Sequence, residues 1–143
     1  MLSNSAKYAL KAVLYLALHT SEDNKMMVKD IYTNINVPQS YLAKLLQELS
    51  KHDIISSSRG PKGGFYLSAK NLGLPLIRIV DVIDGEQRLR SCMLSIHECD
   101  SENPCALHHL VGNANSDFIK NLEQTTINEL ILEVRAGKSV LPL

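Results

Sequence analysis

The sequence lacks several features that would assign it to a common class of protein. No apolar run reaches the ~20 residues needed to cross a bilayer, and 21% of the 143 residues are charged. There is no glycine-rich phosphate loop after a strand, no nucleophile elbow and no obvious pair of carboxylates. The one enzymatic alternative is a catalytic pair of Cys105 and His108, but two further cysteines nearby favour a ligand set instead. We therefore predict that the chain is not an enzyme.

An excess of charge of one sign is also missing, although the charges are unevenly distributed. Residues 1–70 carry nine Lys and Arg against five Asp and Glu, whereas residues 71–143 carry six against ten. Such asymmetry suggests that the first half binds a polyanion. A chance distribution is the simpler alternative.

The first twenty residues are apolar enough to raise the question of a secretory signal. Lys7 and Lys11 interrupt the apolar run, and a small-residue cleavage pattern is missing. We therefore predict a cytoplasmic protein with a helix over residues 4–20. Apolar residues cover two faces of this helix, which predicts that it is buried or shared with a partner.

Residues 27–52 have the pattern of a helix-turn-helix. A short helix is predicted over 27–33, and a second helix runs from Pro38 to about His52 after the turn "NINV". Four leucines of the second helix are spaced to form one buried stripe, and its opposite face is polar and cationic. The stripe consists of Leu42, Leu45, Leu46 and Leu49, and the polar face of Gln39, Ser40, Ala43, Lys44, Gln47 and Lys51.

The stretch "SSSRGPKGGFYLS" predicts a β-hairpin directly after these helices. Glycine allows the tip of a hairpin to adopt left-handed backbone angles and to approach another surface closely. Pro61 stiffens the tip, and Arg59 and Lys62 supply cations that suit a phosphate backbone or a narrow minor groove. A hairpin after a helix-turn-helix makes a winged helix. A plain hairpin with solubilising charges is the alternative.

All three cysteines lie within the stretch "SCMLSIHECDSENPCALHHL", spaced as C-x6-C-x5-C and followed by histidine. The odd count and the predicted compartment disfavour disulfides. Three thiolates and an imidazole could hold zinc or an iron–sulfur cluster, and the absence of C-x2-C knuckles argues against structural zinc. The metal-free alternatives are free thiols that sense oxidants and control by a protein partner. The candidate ligands are Cys92, Cys99, Cys105 and His108.

Three parts of the sequence resemble the Rrf-type winged-helix transcription regulators, which include IscR-like and NsrR-like repressors. They are "KYALKAVLYLA", "VPQSYLAKLLQELSKHDIISSSRGPKGGFYLS" and the cysteine cluster. The resemblance implies a homodimer that binds double-stranded DNA at a pseudo-palindromic operator, with recognition helices in the major groove and wings in the minor groove. The implied DNA-binding residues are Gln39, Ser40, Tyr41, Lys44, Arg59, Gly60, Pro61, Lys62 and Gly63. Many IscR-like members have a glutamate at the position of Ala43, so the operator sequence stays open.

The resemblance also bears on the cofactor. IscR-like members bind their cluster through three cysteines and a histidine three residues after the last cysteine, which corresponds to His108. NsrR-like members use an aspartate from the partner's first helix, and Lys7 occupies that position here. The resemblance therefore implies a 2Fe–2S cluster on Cys92, Cys99, Cys105 and His108.

The remaining helices predict how the chain is organised. A helix is predicted in "LPLIRIVDVIDG", ending at Gly85, and a long amphipathic helix over residues 116–135. One winged helix cannot bury all these apolar faces, which favours dimerisation. We predict a mostly α fold with a small β-hairpin, a winged helix-turn-helix plus a long C-terminal dimerisation helix. Residues 1–70 form the DNA-binding domain, and residues 71–143 the linker helix, cysteine loop and dimerisation helix, in one compact unit with the first.

Overall fold

The computed structural model of the chain describes residues 2–143. The predicted fold class is confirmed, because this part of the chain is mostly helical with one two-stranded antiparallel sheet. In chain order the elements are α1 (Asn4–His19), α2 (Val28–Tyr32), α3 (Gln39–Lys51), β1 (Ser56–Ser58), β2 (Gly64–Tyr66), α4 (Ala69–Leu72), α5 (Ile77–Asp84), α6 (Glu86–Arg90), α7 (His108–Gln124) and α8 (Ile127–Arg135).

Helix α1 lies at the centre of the core because small side chains cover much of its surface. Ala6 and Ala12 are fully buried, so α3, α5 and α8 pack closely against it. Ser3 caps the helix by accepting a hydrogen bond from the Ala6 backbone at 3.0 Å. Thr20 ends it, and its hydroxyl donates to the Leu16 carbonyl at 2.6 Å. Within residues 2–143, neither α1 nor any other helix combines the length and hydropathy of a membrane span.

Helices α2 and α3 form the predicted helix-turn-helix around a shared apolar contact. Ile31 of α2 is fully buried, and the turn between the helices buries Ile35 and Val37. The predicted leucine stripe of α3 is confirmed, since all four of its members are buried: Leu42, Leu45, Leu46 and Leu49. The opposite face of α3 is therefore free to meet another surface.

The hairpin β1–β2 follows α3 and is fastened to α1 along its second strand. Ser57 lies opposite Phe65 in the antiparallel register. Met26 adds a short third strand segment, exchanging backbone hydrogen bonds with Phe65 at 3.0 and 2.7 Å. The Leu67 backbone N–H donates to the Thr20 hydroxyl at 3.2 Å. These bonds seat the hairpin against the end of α1.

The segments before and after residue 70 share one core. Helix α5 buries Ile79 and Val80 and packs against both α1 and α3. Gly85, with φ +82°, ends α5 and allows α6 to start in a new direction. The predicted end of this helix is confirmed.

The single helix predicted over residues 116–135 is wrong in its extent. Helix α7 begins eight residues earlier, at His108, and ends at Gln124, and α8 starts at Ile127. Thr125 and Thr126 are extended between them. The Leu76 N–H donates to the Thr125 carbonyl at 2.9 Å, and the Ile127 N–H donates to the Leu74 carbonyl at 3.0 Å. These contacts with the linker take the place of helical hydrogen bonds and break the helix.

Candidate nucleic-acid interface and cysteine loop

The exposed face of α3 begins with a group of polar side chains. Gln39, Ser40 and Lys44 are exposed, and Ala43 is half-buried between them. A shallow depression beside them is lined by Val28, Gln39, Ser40 and Ala43. The small Ala43 side chain leaves this part of the helix open.

Tyr41 differs from its neighbours because it is half-buried against α1. Its hydroxyl forms a hydrogen bond with the Ser5 hydroxyl. Its ring meets the Tyr8 ring edge-on, with 5.9 Å between the ring centroids. Tyr41 therefore joins the start of α3 to the first turns of α1.

Exposed cations and a tightly formed turn make up the tip of the hairpin. Arg59, Gly60, Pro61 and Lys62 are all exposed. Gly60 has φ +101°, and the Gly63 N–H donates to its carbonyl at 2.9 Å. Gly63 is buried, and a Cβ atom there would lie 2.4 Å from the Ser58 carbonyl oxygen. Gly63 therefore shapes the turn, while the other four residues form its surface.

The cations of this surface are not neutralised by neighbouring acids. Among residues 2–143, no ion pair involves Lys44, Arg59 or Lys62. The Lys25 ammonium lies 5.1 Å from the centroid of the Tyr66 ring and adds a further cation at β2. Lys25 does not stand out in the sequence, because nothing local links it to the hairpin. Residues 2–70, the winged half of the chain, thus present uncompensated positive charge at the hairpin.

Residues 91–107 form the cysteine loop, which connects α6 to α7. The Cys92 N–H donates to the His97 carbonyl at 2.7 Å, and Ser91 pairs with Glu98 in a short antiparallel bridge. Asp100 closes a turn by accepting the Glu102 backbone N–H at 2.8 Å. Hydrogen bonds, first from the side chain of Asn103 and then from the backbone, hold the pKa of Asp100 below its usual value.

The three thiols lie near one another, and the pKa values of Cys92 and Cys99 are shifted in opposite directions. The sulfurs of Cys92 and Cys105 are 3.3 Å apart, and all three cysteines are free. A hydrogen bond from the Leu94 backbone, followed by one from Cys105, lowers the pKa of Cys92. Loss of hydration, followed by the hydrogen bond to Cys92, raises the pKa of Cys99. Because thiolates are the metal-binding form, Cys92 is the readiest ligand of the two.

His108 is the first residue of α7, and one of its ring nitrogens lacks a hydrogen-bond partner among residues 2–143. Its Nδ1 atom is buried and has no hydrogen-bond partner, which is costly unless something else binds it. The ring packs over Gly112, where an added Cβ would lie 3.6 Å from Cε1. His108 and Cys99 line the same open cavity of about 430 Å³. The cavity therefore borders both His108 and the cysteine loop.

The four candidate ligands do not converge on one point. Within residues 2–143, no set of three or more His, Cys, Asp or Glu side chains is arranged to hold a single metal ion. The Cys92 and Cys105 sulfurs are 3.3 Å apart, Cys99 is hydrogen-bonded to Cys92, and His108 lines the same cavity as Cys99. A 2Fe–2S cluster takes its ligands on two separate irons, so the donor set fits such a cluster better than a single ion.

Two residues outside the cysteine loop fasten its ends to the core. The Arg90 guanidinium lies 3.1 Å from a carboxylate oxygen of Asp81 and 3.6 Å from one of Glu123. The Asn115 side chain donates to the Leu89 carbonyl at 2.7 Å and so joins α7 to α6. Neither residue stands out in the sequence, because each depends on contacts between separate helices.

Comparison with known proteins identifies the family. The family described as "Rrf2: Iron-dependent Transcriptional regulator" matches residues 2–133. An HTH-type transcriptional regulator of Aquifex aeolicus is 33% identical over 131 residues, covering 90% of each chain. The regulator IscR of Vibrio cholerae is 27% identical over 132 residues, which are 92% of this chain and 75% of IscR.

Solved structures agree on the fold. CymR, the global cysteine regulator of B. subtilis, superposes with a TM-score of 0.73 at 20% identity, covering 92% of this chain and 96% of CymR. These relatives are regulators and not enzymes, as the sequence predicts. The resemblance noted from the winged helix and the cysteine cluster is therefore confirmed, and the chain belongs to the Rrf2 family of transcriptional regulators.

Proposed function

We propose that this Rrf2-family regulator binds duplex DNA as a homodimer, with α3 in the major groove and the hairpin in the minor groove. The observation that carries the proposal is the hairpin tip, where Arg59 and Lys62 are exposed and form no ion pair with any acid of residues 2–143. A guanidinium is favoured in a narrow minor groove, where the negative potential is enhanced. Lys62 suits a phosphate at the edge of the groove.

The start of α3 supplies the side chains for the major groove. Gln39 and Ser40 can hydrogen-bond to base edges, and Lys44 suits either guanine or a phosphate. Tyr41 supports this surface through Ser5 and Tyr8. The DNA-binding set is completed at the hairpin by Arg59, Gly60, Pro61, Lys62 and Gly63.

Helix α7 is the element best suited to join two copies of the chain. Leu122, at 7% exposed, is the only residue of α7 that is buried. Leu110 is 75% exposed, and Phe118 and Ile119 are only half-buried. An apolar face that its own chain leaves open is best covered by the same face of a second copy. Two recognition helices would then read half-sites separated by about one helical turn or a small multiple.

The cysteine loop is proposed to hold a 2Fe–2S cluster on Cys92, Cys99, Cys105 and His108. The free thiols, the 3.3 Å sulfur pair and the unpartnered His108 Nδ1 support this donor set. When bound, such a cluster supplies one-electron redox chemistry and a target for oxidants or nitric oxide. The chain's own residues position the ligands: Arg90 and Asn115 fix the two ends of the loop to the core.

The loop is placed to influence DNA binding because it leads directly into α7. A change in the loop that favours one orientation of α7 would change the spacing of the two recognition helices in a dimer. Such a change regulates only if the two states differ in DNA affinity.

Control by thiols alone is a second candidate for the loop. It is favoured by the short distance between the Cys92 and Cys105 sulfurs. Removal of either thiol would abolish both kinds of sensing, but iron and sulfide would be found in the protein only in the cluster form.

The DNA-binding proposal is tested with a duplex that the wild-type protein selects from a random-sequence library. We expect Arg59→Ala to weaken binding about 10-fold and Lys44→Ala by a similar factor, with the exposed Lys138→Ala as the matched control. Binding should weaken steeply with salt. Wild-type affinity in both test variants would contradict the proposal. The sensing proposal fails if Cys105→Ala leaves DNA affinity and its response to oxidants or nitric oxide unchanged.

A further inference from the structure

Asn71, the third residue of α4, is the only polar residue of residues 2–143 that lies in the buried core. It is 4% exposed. Burying an amide is unfavourable unless its donor and acceptor groups are satisfied. The contacts of this side chain therefore indicate what its burial achieves.

The Asn71 amide is hydrogen-bonded through both its oxygen and its nitrogen, and its partners lie in three different segments. Its Oδ1 accepts from the Ser56 hydroxyl at 2.7 Å and from the Ser68 backbone N–H at 2.9 Å. Its Nδ2 donates to the Asp53 carbonyl at 3.0 Å. Ser68 also caps α4, with its hydroxyl accepting the Asn71 backbone N–H at 3.3 Å.

Those three segments meet at the base of the hairpin. Asp53 is the residue at which the chain leaves α3, and its left-handed φ of +59° turns the backbone toward β1. Ser56 is the first residue of β1, and Ser68 follows β2 by two residues. One side chain thus joins the end of the candidate recognition helix to both strands of the hairpin.

Other contacts of the hairpin do not replace this junction. Leu67 and Phe65 are bonded toward α1, through Thr20 and Met26. The hydroxyls of Ser50 and Ser57 meet at 2.9 Å between α3 and β1, but this contact is exposed to water. Apolar packing aside, Asn71 is therefore the buried side chain of residues 2–143 that links α3 to both strands through hydrogen bonds.

We propose that Asn71 is a positioning residue for DNA binding, which fixes the angle of the hairpin relative to α3 and so lets Arg59 and Lys62 reach the DNA when α3 is seated. The inference rests on the proposed function. Loss of the amide leaves the Asp53 carbonyl and the Ser68 N–H without their partner, so the base of the hairpin must shift or admit water.

A double-mutant cycle separates positioning from a general effect on folding. We expect Asn71→Ala to weaken binding to the selected duplex about fivefold when the tip is intact. In a protein that already carries Arg59→Ala and Lys62→Ala, the same change should weaken binding less than about twofold, because there is no tip contact left to misplace. Asn128→Ala, an exposed asparagine of α8, should have no effect in either background.

Ser56→Ala provides a second variant in case Asn71→Ala does not fold. It removes one hydrogen bond to Oδ1 and keeps the rest of the junction, so it should show the same pattern with a loss of about twofold. Circular dichroism at the assay temperature establishes that each compared variant is folded.

The possible outcomes are distinguishable. One contrary result is that each variant loses as much DNA affinity in the tip-deleted background as in the intact one, and another is that neither variant loses any in either background. Both results would overturn the positioning role while the proposed hairpin contact stands. Wild-type affinity of the tip variant itself would overturn the proposed hairpin contact, and the inference with it. A loss confined to the intact tip would support both.

Discussion

The winged half and the cysteine loop of this protein are held in place by different means. In the winged half, Leu42, Leu46, Leu49 and Ile54 are fully buried, and the hairpin is fastened to α1 and α3. In the cysteine loop, every residue from 93 to 104 is exposed. The loop is shaped by a short bridge at Ser91 and by the turn at Asp100 rather than by a core.

This difference indicates what gives each of the two regions its shape. Burial of apolar surface fixes the winged half before any DNA is present. The cysteine loop buries little apolar surface, so little apart from its bridge and its turn fixes its arrangement. If the proposed cluster binds, its ligand bonds would contribute more to the shape of the loop than packing does.

The largest expected effect comes from removing core volume in the winged half. Leu46 is fully buried, whereas Ile96 of the loop is 87% exposed. Leu46→Ala should lower the free energy of unfolding by about 2–5 kcal/mol, and Ile96→Ala should change it by less than about 0.5 kcal/mol. Urea denaturation followed by circular dichroism measures both. Similar losses of unfolding free energy in the two variants would contradict the contrast between the winged half and the cysteine loop.

A smaller effect is expected from crowding the hairpin turn. A Cβ at Gly63 would lie 2.4 Å from the Ser58 carbonyl oxygen, whereas one at Gly73 would have nothing nearer than 3.6 Å. Gly63→Ala should destabilise the protein by about 1–3 kcal/mol and weaken DNA binding. Gly73→Ala is the matched control and should keep wild-type DNA affinity. A fully stable Gly63→Ala protein would show that the turn is less tightly formed.

The junction between α7 and α8 offers a more modest test. The Thr126 hydroxyl accepts the Glu129 backbone N–H at 3.2 Å, while the Thr125 side chain has no such role. Thr126→Ala should therefore cost about 1 kcal/mol of stability, and Thr125→Ala should cost less. Thermal unfolding of the two variants measures the difference, and the reverse order would contradict the assigned cap.

The smallest effect on stability is expected at a proposed ligand. Cys105→Ala changes a half-buried side chain of the cysteine loop, so the metal-free protein should unfold within about 0.5 kcal/mol of wild type. Its bound iron should nevertheless fall to background. Ser101→Ala, in the same loop, is the control and should keep the wild-type iron content. A large loss of stability without metal would show that the loop has a core role of its own.

The sequence predicts the winged half well because local patterns and burial agree there. The spacing of the leucines in α3, the apolar faces of α1 and the glycines of the hairpin each agree with the burial and the turn that the structure shows. The short helices α4 and α6 were not predicted, since helices of four or five residues carry too little periodicity to be recognised.

The break between α7 and α8 was missed although the sequence contains a signal for it. Thr126 and Glu129 form a capping box, a pattern that marks the start of a helix. Apolar residues keep the same helical spacing before and after the break, so the sequence pattern resembles that of one continuous helix. Its cause, pairing with Leu74 and Leu76, lies fifty residues away in the chain, which local patterns do not reveal.

The candidate sites were predictable in residue type but not in arrangement. The cysteine spacing indicates a ligand set, but the pairing of Cys92 with Cys105, and the exposed cavity beside His108, depend on how α6 and α7 pack. The Asn71 junction has no signal beyond the Ser68 cap, because it joins three segments that are separate in the sequence.

The most direct test of the central claim, a DNA-binding regulator with a cluster on its cysteine loop, is iron and sulfide analysis of protein purified without oxygen, alongside its visible spectrum. We predict about two iron and two sulfide per chain, lost together in Cys105→Ala and kept in Ser101→Ala. A colourless wild-type protein free of iron and sulfide would contradict the account of the loop and leave control by thiols alone.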